Sequence, residues 1–553
     1  MRSISKTSAS TSSPSQLDTT ETSTLFKYTS GRWIYNEQRR LAERERVFNV
    51  IALQRLAAAA VSRKAEDIFH IDKLGEGASN RAFVIHFRNG FKLVARIPYP
   101  ATEPTHLVVA SEAATLIYLR SKGIPVPEVY GYSASADNPA ETEYIFMEFS
   151  PGGNLGSSWS DMGEQDRLRF VTSLVDLEAR MFNLRLPASG SLYFARDLPA
   201  GVETIAVDSD DDGRLESLCV GPSTSLELWH GKRSRLDVDR GPYAETEDVL
   251  NSGAIKEIRY LDSYGRPLLP FDRMRRETFH LEKQSPSAHR DSLQQYLQIS
   301  KHLIPQSKNG LARPVLRHPD LRPSNIFVSE KYEITSLIDW QNCTLLPLFL
   351  HSGIPEDLDN STDPASRSLE IPQLPEEIPD LTEEERSEQL EVFRRRQSHY
   401  FYMRETAKTN PMHFEALSRP FSIGTRKIYQ LSGAPWQGDI IPLKSSLIFT
   451  KQQWHQIAAS PDLPCPITFT EEEERECLRL DELEREAVVQ LEASKEILGL
   501  GPEGWVSCDN YEAARETIAR MKAMCLEQAS TEMERTAVRD HWVYDDMDED
   551  EYL

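Results

Sequence analysis

The stretch RHPDLRPSNIFVSEKYEITSLIDW, residues 317–340, constrains this chain more than any other. NIFV and EITSLI are apolar, β-prone runs separated by the polar SEKY, and together they predict a hairpin. Such pairing leaves Asp320 and Asn325 before and at the start of the first strand and Asp339 at the end of the second. Three side chains are thereby gathered at one end. Phosphoryl transfer to a hydroxyl asks for such a set: one carboxylate to orient or deprotonate the attacking group, and an Asn and a second Asp to hold Mg²⁺ against a triphosphate. A chance coincidence of H-x-D-x-x-x-x-N with a hairpin is the bland alternative.

The rest of the chain narrows the classes available. At 553 residues it is long for one hydrophobic core, so at least two lobes are expected. No run of eighteen apolar residues occurs, and the most apolar early stretch is interrupted by Asn49, Gln54 and Arg55, which predicts no membrane span. A net charge of -23 without a dense basic block argues against nucleic acid as a partner; protein partners are not legible. The acidic runs at 208–212, at 471–476 and in the terminal DDMDEDEYL read as solvated faces or a loose tail. Six cysteines without a C-x-x-C pair fit reduced thiols in an intracellular compartment. Residues 1–24 read as a disordered tail or a presequence, so the expected location is mitochondrial or cytoplasmic. G-x-S-x-G and H-E-x-x-H are both missing, which removes support for a serine or zinc hydrolase.

Periodicity divides the chain further. Residues 25–65 carry helical spacing at Leu53, Leu56 and Ala60. Residues 66–150 predict a small sheet with one helix: AFVIHF and KLVARI flank Asn89-Gly90, a strong hairpin signal, and a helix over 111–123 closes at Gly123. Residues 151–350 begin with a helix whose apolar face is Phe170, Leu174, Leu177 and Met181, and contain a loop-rich insertion near 200–290. Residues 351–553 start as a Pro/Asp-rich connector and continue as helices near 383–408, 470–496 and 509–535, ending in the acidic tail.

HPDLRPSN followed by IDWQ resembles the catalytic and metal-binding segments of the protein-kinase-like phosphotransferases, the superfamily of aminoglycoside phosphotransferases, choline kinases and protein kinases. With YTSGRWIYNEQRRLAER, SEAATLIYLR, GSLYF and LWHGKR, the chain is similar to a fungal branch of the aminoglycoside-phosphotransferase-like family from about residue 25 onward. The resemblance implies an α+β, bilobal protein-kinase-like fold of the aminoglycoside phosphotransferase type. A small β-rich N-lobe would precede a larger, mostly helical C-lobe with insertions and a helical C-terminal extension.

It also implies roles. LGEGASN would cover the nucleotide phosphates, with Gly75 and Gly77 letting backbone N–H groups approach and Ser79 and Asn80 alongside; an ordinary turn is the alternative. Arg96 in VARIP falls where kinases carry the phosphate-binding Lys, an exchange that is not conservative at a tightly shaped site. Glu112 matches that cation's helix partner. The backbone at Glu148 and Phe149 would read the adenine edge, or lie in a plain buried strand. In the catalytic segment Asp320 would orient the hydroxyl, with Arg322 beside the transferred phosphate or in a surface salt bridge, and His318 bracing the loop; Asn325 and Asp339 would bind metal. The implied activity is ATP- and Mg²⁺-dependent phosphorylation of a small-molecule hydroxyl. A kinase-like pseudoenzyme is the alternative, and protein kinase activity is weakened by the missing D-F-G and A-P-E.

Overall fold

The structure, a computed structural model, describes residues 24–208, 217–306, 310–374, 382–460 and 462–553. The tail or presequence at 1–24 and the acidic run at 208–212 lie outside them, apart from Thr24 and Asp208. The chain is α+β and bilobal.

The first lobe is a five-stranded antiparallel sheet in the order β2-β3-β4-β6-β5, built from β2 (Ile68–Glu76), β3 (Asn80–Phe87), β4 (Lys92–Pro98), β5 (Val129–Ser133) and β6 (Tyr144–Glu148). The Asn89-Gly90 turn joins β3 to β4, and Gly90 has φ +85°, a conformation open to glycine without a Cβ clash. Alternation then sorts the side chains. Phe83, Ile85, Phe87, Leu93, Ala95 and Ile97 face one cluster with Leu53, Ala57 and Ala58, which come from helix Val50–Ala60. Val94, Ile145 and Met147 point the other way, toward helix α1 (Thr105–Ser121). Arg96 shares the parity of Val94, so the strand period of two delivers it to the α1 side. Each large apolar side chain buried in these layers stabilises by about 1.5–3 kcal/mol.

The two leading helices, Glu37–Arg44 and Val50–Ala60, are separate. α1 begins six residues before the expected 111 and is still closed by Gly123, at φ +73°. The second lobe contains the expected hairpin, β12 (Ile326–Val328) paired with β13 (Ile334–Leu337), and a third strand, β7 (Gly153–Asn154), joins its edge. Gly152, at φ +95°, allows that approach: a Cβ there would stand 2.5 Å from the Val328 carbonyl oxygen. Helix α2 (Glu164–Phe182) packs against α3 (Glu383–Thr409) and also touches β13 of the hairpin.

Two expectations are corrected. Residues 200–290 are not only an insertion of loops, because they include helix Thr246–Tyr264, which contributes Val249, Leu250, Ala254 and Tyr260 to a large core. There Arg233, from the LWHGKR run, meets Glu257 with two hydrogen bonds of 2.7 and 2.6 Å; both side chains are fully buried. Burial opposes the Glu257 charge, but Lys256 and Arg233 outweigh it and hold the carboxyl at about 2. The terminal run is likewise not a loose tail. Glu549 is buried and receives Arg40 Nη2 at 2.6 and 2.7 Å and Asn36 Nδ2 at 2.6 Å, while Tyr552 packs edge-on against Phe271. β1 (Arg32–Trp33) also pairs with Trp505–Val506, so both ends of the chain are joined. The run at 471–476 does form a solvated helix start, where its acids favour the positive end of the helix dipole and Glu473 completes a capping box with Thr470.

Candidate active site

The hairpin brings the expected residues together. Asn325 is buried at the end of a short turn, and its Nδ2 donates to the Asp320 carbonyl oxygen (2.9 Å) and Oδ2 (3.1 Å). Its own carbonyl accepts the Ile338 N–H at 3.0 Å, one residue before Asp339. His318 makes a second tie: Nδ1 accepts the Asp320 N–H at 3.1 Å, so Nε2 carries the proton donated to the Ile338 carbonyl at 2.8 Å. Burial lowers His318 to about 4, and the neutral ring stands edge-on to Trp340. A neutral, doubly bonded imidazole is a brace. The half-exposed Asp320 accepts Arg322 Nε at 2.7 Å, while Arg322 Nη2 lies 3.6 Å from Glu356. The surface salt bridge expected for Arg322 as an alternative is therefore present.

Asp339 adopts φ +66°, a left-handed conformation uncommon for a residue with a side chain. Its Oδ1 accepts Arg96 Nη2 at 2.5 Å. Burial works against the Asp339 charge, but the adjacent guanidinium and its hydrogen bond prevail and hold the carboxyl below the usual range. Glu112 lies 3.1 Å from Arg96 Nη1, yet its Oε1 has no directed hydrogen bond. Burial raises this carboxyl to about 7, with Arg96 only partly opposing it. The short separation and the high value agree once direction is considered: the hydrogen bonds of Arg96 go to Asp339 and to Gln341 Oε1, at 2.9 Å.

The glycine loop departs from expectation. Gly75 lies inside β2 opposite Ala82, and the Gly77 N–H donates to the Asn80 carbonyl at 2.9 Å, so that donor is already committed. Glu76, between them, turns inward to Arg81 Nε (2.9 Å) and accepts the N–H groups of Thr29 and Ser30 (2.8 Å each). The Ser79 carbonyl anchors the Tyr99 N–H and the Thr102 hydroxyl. Asn80 Nδ2 reaches Gln341 Oε1 at 2.9 Å, tying the loop to the Asp339 segment. At the connector, the Glu148 N–H donates to the Glu128 carbonyl at 2.8 Å, which removes it as an adenine donor; the exposed Phe149 ring lies under Lys92.

Three contributors escaped the sequence reading. Gln341 bridges Arg96 and Asn80 and keeps a buried Nε2 without a partner. Asn154 holds the loop before the hairpin by donating to the Ser324 carbonyl at 2.7 Å, and the Pro-Gly-Gly before it was the available signal. Arg167 lines a cavity of about 730 Å³ that opens beside Arg322, Pro323 and Ser324.

An oxygen pair, Asn325 and Asp339, suits Mg²⁺, which keeps several waters and substrate phosphates beside one or two protein ligands. The fit is supported by Asn325, whose Nδ2 is spent on Asp320 and whose Oδ1 takes part in no hydrogen bond within the described residues. The unspent Gln341 Nε2 donor, next to the Arg96 guanidinium, suits an anionic oxygen of a nucleotide.

A family model described as phosphotransferase enzyme family matches residues 70–349. A subtelomeric hrmA-associated cluster protein of Aspergillus fumigatus is 31% identical over 515 residues, spanning 87% of this chain and 97% of that protein. Altered inheritance of mitochondria protein 9, mitochondrial, of Saccharomyces cerevisiae is 22% identical over 570 residues, spanning 88% of this chain and 87% of that one. Among solved structures, Plasmodium vivax ethanolamine kinase overlaps with a TM-score of 0.30 at 12% identity, covering 75% of this chain and 82% of that chain.

Proposed function

Because the chain belongs to the phosphotransferase enzyme family, we propose that it transfers the γ-phosphoryl group of ATP to a hydroxyl of a small molecule. The observation that carries this reading is the convergence of Asp320, Asn325, Asp339 and Arg96, braced by His318 and Gln341. Asp320 orients the acceptor hydroxyl and takes its proton. The acceptor oxygen bonds to the γ-phosphorus as the bond to the β,γ-bridging oxygen breaks, and ADP leaves. Mg²⁺, held by Asn325 and Asp339, would neutralise charge developing on the phosphates. Arg96, once Asp339 is engaged elsewhere, would be the cation available to the phosphates, with Glu112 3.1 Å from its other terminal nitrogen. Relatives named mitochondrial support the mitochondrial option for location.

The test is a thermal-shift titration with ATP, with and without Mg²⁺, on the unmodified protein and on Asp339→Ala. Ligand bound to the native state raises its stability by mass action, about 2.7 kcal/mol at a hundredfold excess over Kd. A Mg²⁺-dependent shift that disappears in the variant supports the reading; an unchanged shift in Asp339→Ala sinks it. A second reading, nucleotide binding without turnover, is favoured by the Arg96–Asp339 ion pair, which occupies two groups that the reaction needs. Appearance of turnover only in Arg96→Lys supports that reading, while turnover by the unmodified protein excludes it.

A further inference from the structure

We propose that the acceptor carries an anionic group, a carboxylate or a phosphate, which Arg167 and Arg394 bind in the cavity beside the catalytic loop. This rests on the phosphotransferase reading above. The cavity, about 730 Å³, is lined on the loop side by Arg322, Pro323 and Ser324 and elsewhere by Arg167 of α2 and Arg394 of α3. Arg322 touches Asp320 directly, so a molecule in the cavity lies next to the group that would orient its hydroxyl.

The lining holds four arginines, Arg167, Arg322, Arg394 and Arg395, and four carboxylates, but they are segregated: Glu356, Asp357 and Asp359 lie on the loop wall, and Glu391 is the one acid on the helix wall. Glu391 is committed to Arg395 at 3.0 Å and Glu356 leans on Arg322, whereas Asp359 lies 3.8 Å from His399 Nδ1, which accepts the Asn360 N–H and gives it no counter-charge. Asp357 lines the cavity on the same segment, and burial together with the neighbouring Glu356 raises its carboxyl, with Arg322 only partly opposing them. On the helices the reverse holds. Arg167 is 5% exposed and, like Arg394, forms no ion pair within 4 Å among the described residues. Its guanidinium has only neutral acceptors, Ser398 Oγ at 3.1 Å and the Met162 carbonyl at 3.2 Å, and Ser398 also lines the cavity.

A buried guanidinium without a direct counter-ion is costly, and Arg394 is close enough to repel it by more than Glu391 attracts it. So does its position four residues into α2, where the helix presents its positive end. Trp159, beneath the guanidinium at 5.4 Å, offsets part of this. An anion spanning Arg167 and Arg394 would relieve all three terms through charge-assisted hydrogen bonds. A cationic group would be repelled at this helix wall and would have to seat on the opposite one, beside Asp357 and Asp359.

Isothermal titration of the full chain with sodium phosphate and sodium gluconate, against glucose and choline chloride at matched ionic strength, tests this. The expected result is saturable binding of at least one anion and of neither control, weakened at least about tenfold by Arg394→Glu and by Arg167→Gln. Phosphate alone points to a phosphorylated acceptor and gluconate alone to a carboxylate. No anion binding, choline binding instead, or anion binding unchanged in both variants overturns the proposal. Arg394 is exposed, so Arg394→Glu carries the test should Arg167→Gln fail to fold. Anion binding needs no nucleotide and persists in Asp339→Ala, which separates failure here from failure of the phosphotransferase reading.

Discussion

Replacing Glu112 by Gln isolates the least comfortable charge in the site. Its carboxyl sits at about 7 in the folded chain against an ordinary 4.5, because burial dominates and Arg96 gives it proximity without a directed hydrogen bond. Between those two values the native state keeps a proton that the unfolded chain has released. Stability therefore falls as pH rises, starting near the ordinary carboxylate value and ending above about 7. Each unit is worth about 1.36 kcal/mol, so the full loss is about 3 kcal/mol. Asp339 works in the opposite direction, since its lowered carboxyl contributes stability that is lost on acidification, but that loss falls below the ordinary carboxylate range and outside a comparison made above pH 5. Urea denaturation at pH 5 and pH 8 measures it. Relative to the variant, the unmodified protein should lose about 2.5 kcal/mol on going from pH 5, where part of the loss has already occurred, to pH 8. Parallel profiles, or a divergence of opposite sign, would refute the assignment of Glu112 as a burial-dominated carboxyl.

Other substitutions read out neighbouring features. Glu257→Gln leaves Arg233 and Lys256 buried without their carboxylate and should cost about 3–5 kcal/mol in denaturant melts. Gly152→Ala places a Cβ against the Val328 carbonyl in a backbone conformation that L side chains rarely adopt; a loss of about 1–3 kcal/mol is expected, with lowered hydrogen-exchange protection in β12. Glu549→Ala strips Arg40 of its bidentate partner and should lower the melting temperature, whereas Glu472→Ala, on the solvated helix start, should change it little. His318→Asn, if it keeps one brace bond, should weaken Mg²⁺-dependent ATP binding less than His318→Ala does, measured by thermal shift.

What could be read from the sequence follows the range of the forces involved. The β12–β13 hairpin and the Asn89-Gly90 turn are local, fixed by period-two apolar runs and turn chemistry. The approach of Arg96 to Glu112 follows from strand parity plus one helix. The turn of Arg96 toward Asp339, 243 residues away, depends on how two lobes meet, and no local pattern encodes it. Gln341 and Arg167 were invisible for the same reason: a Gln in a loop and an Arg on a helix face look solvated until their surroundings are known. The Gly77 N–H was misjudged because glycine signals backbone freedom but not where the freed donor goes. The terminal acids were misread as loose because a charge run carries no information about a buried partner such as Arg40.

The union of Arg40 with Glu549 also sets an order of events in time. A ribosome adding about 5–20 residues per second emits the first helix roughly 25–100 s before the carboxylate that neutralises it. Throughout that interval Asn36 and Arg40 face solvent or a surrogate acid, and the strand Arg32–Trp33 waits for Trp505–Val506 in the same way. The sheet over which the glycine loop folds can form early, but the segment that grips Glu76 through Thr29 and Ser30 is anchored on residues synthesised near the finish. A nascent chain would thus hold a sheet lobe whose glycine loop is unclamped, and a stop between the 326–337 hairpin and Trp505 would leave it so.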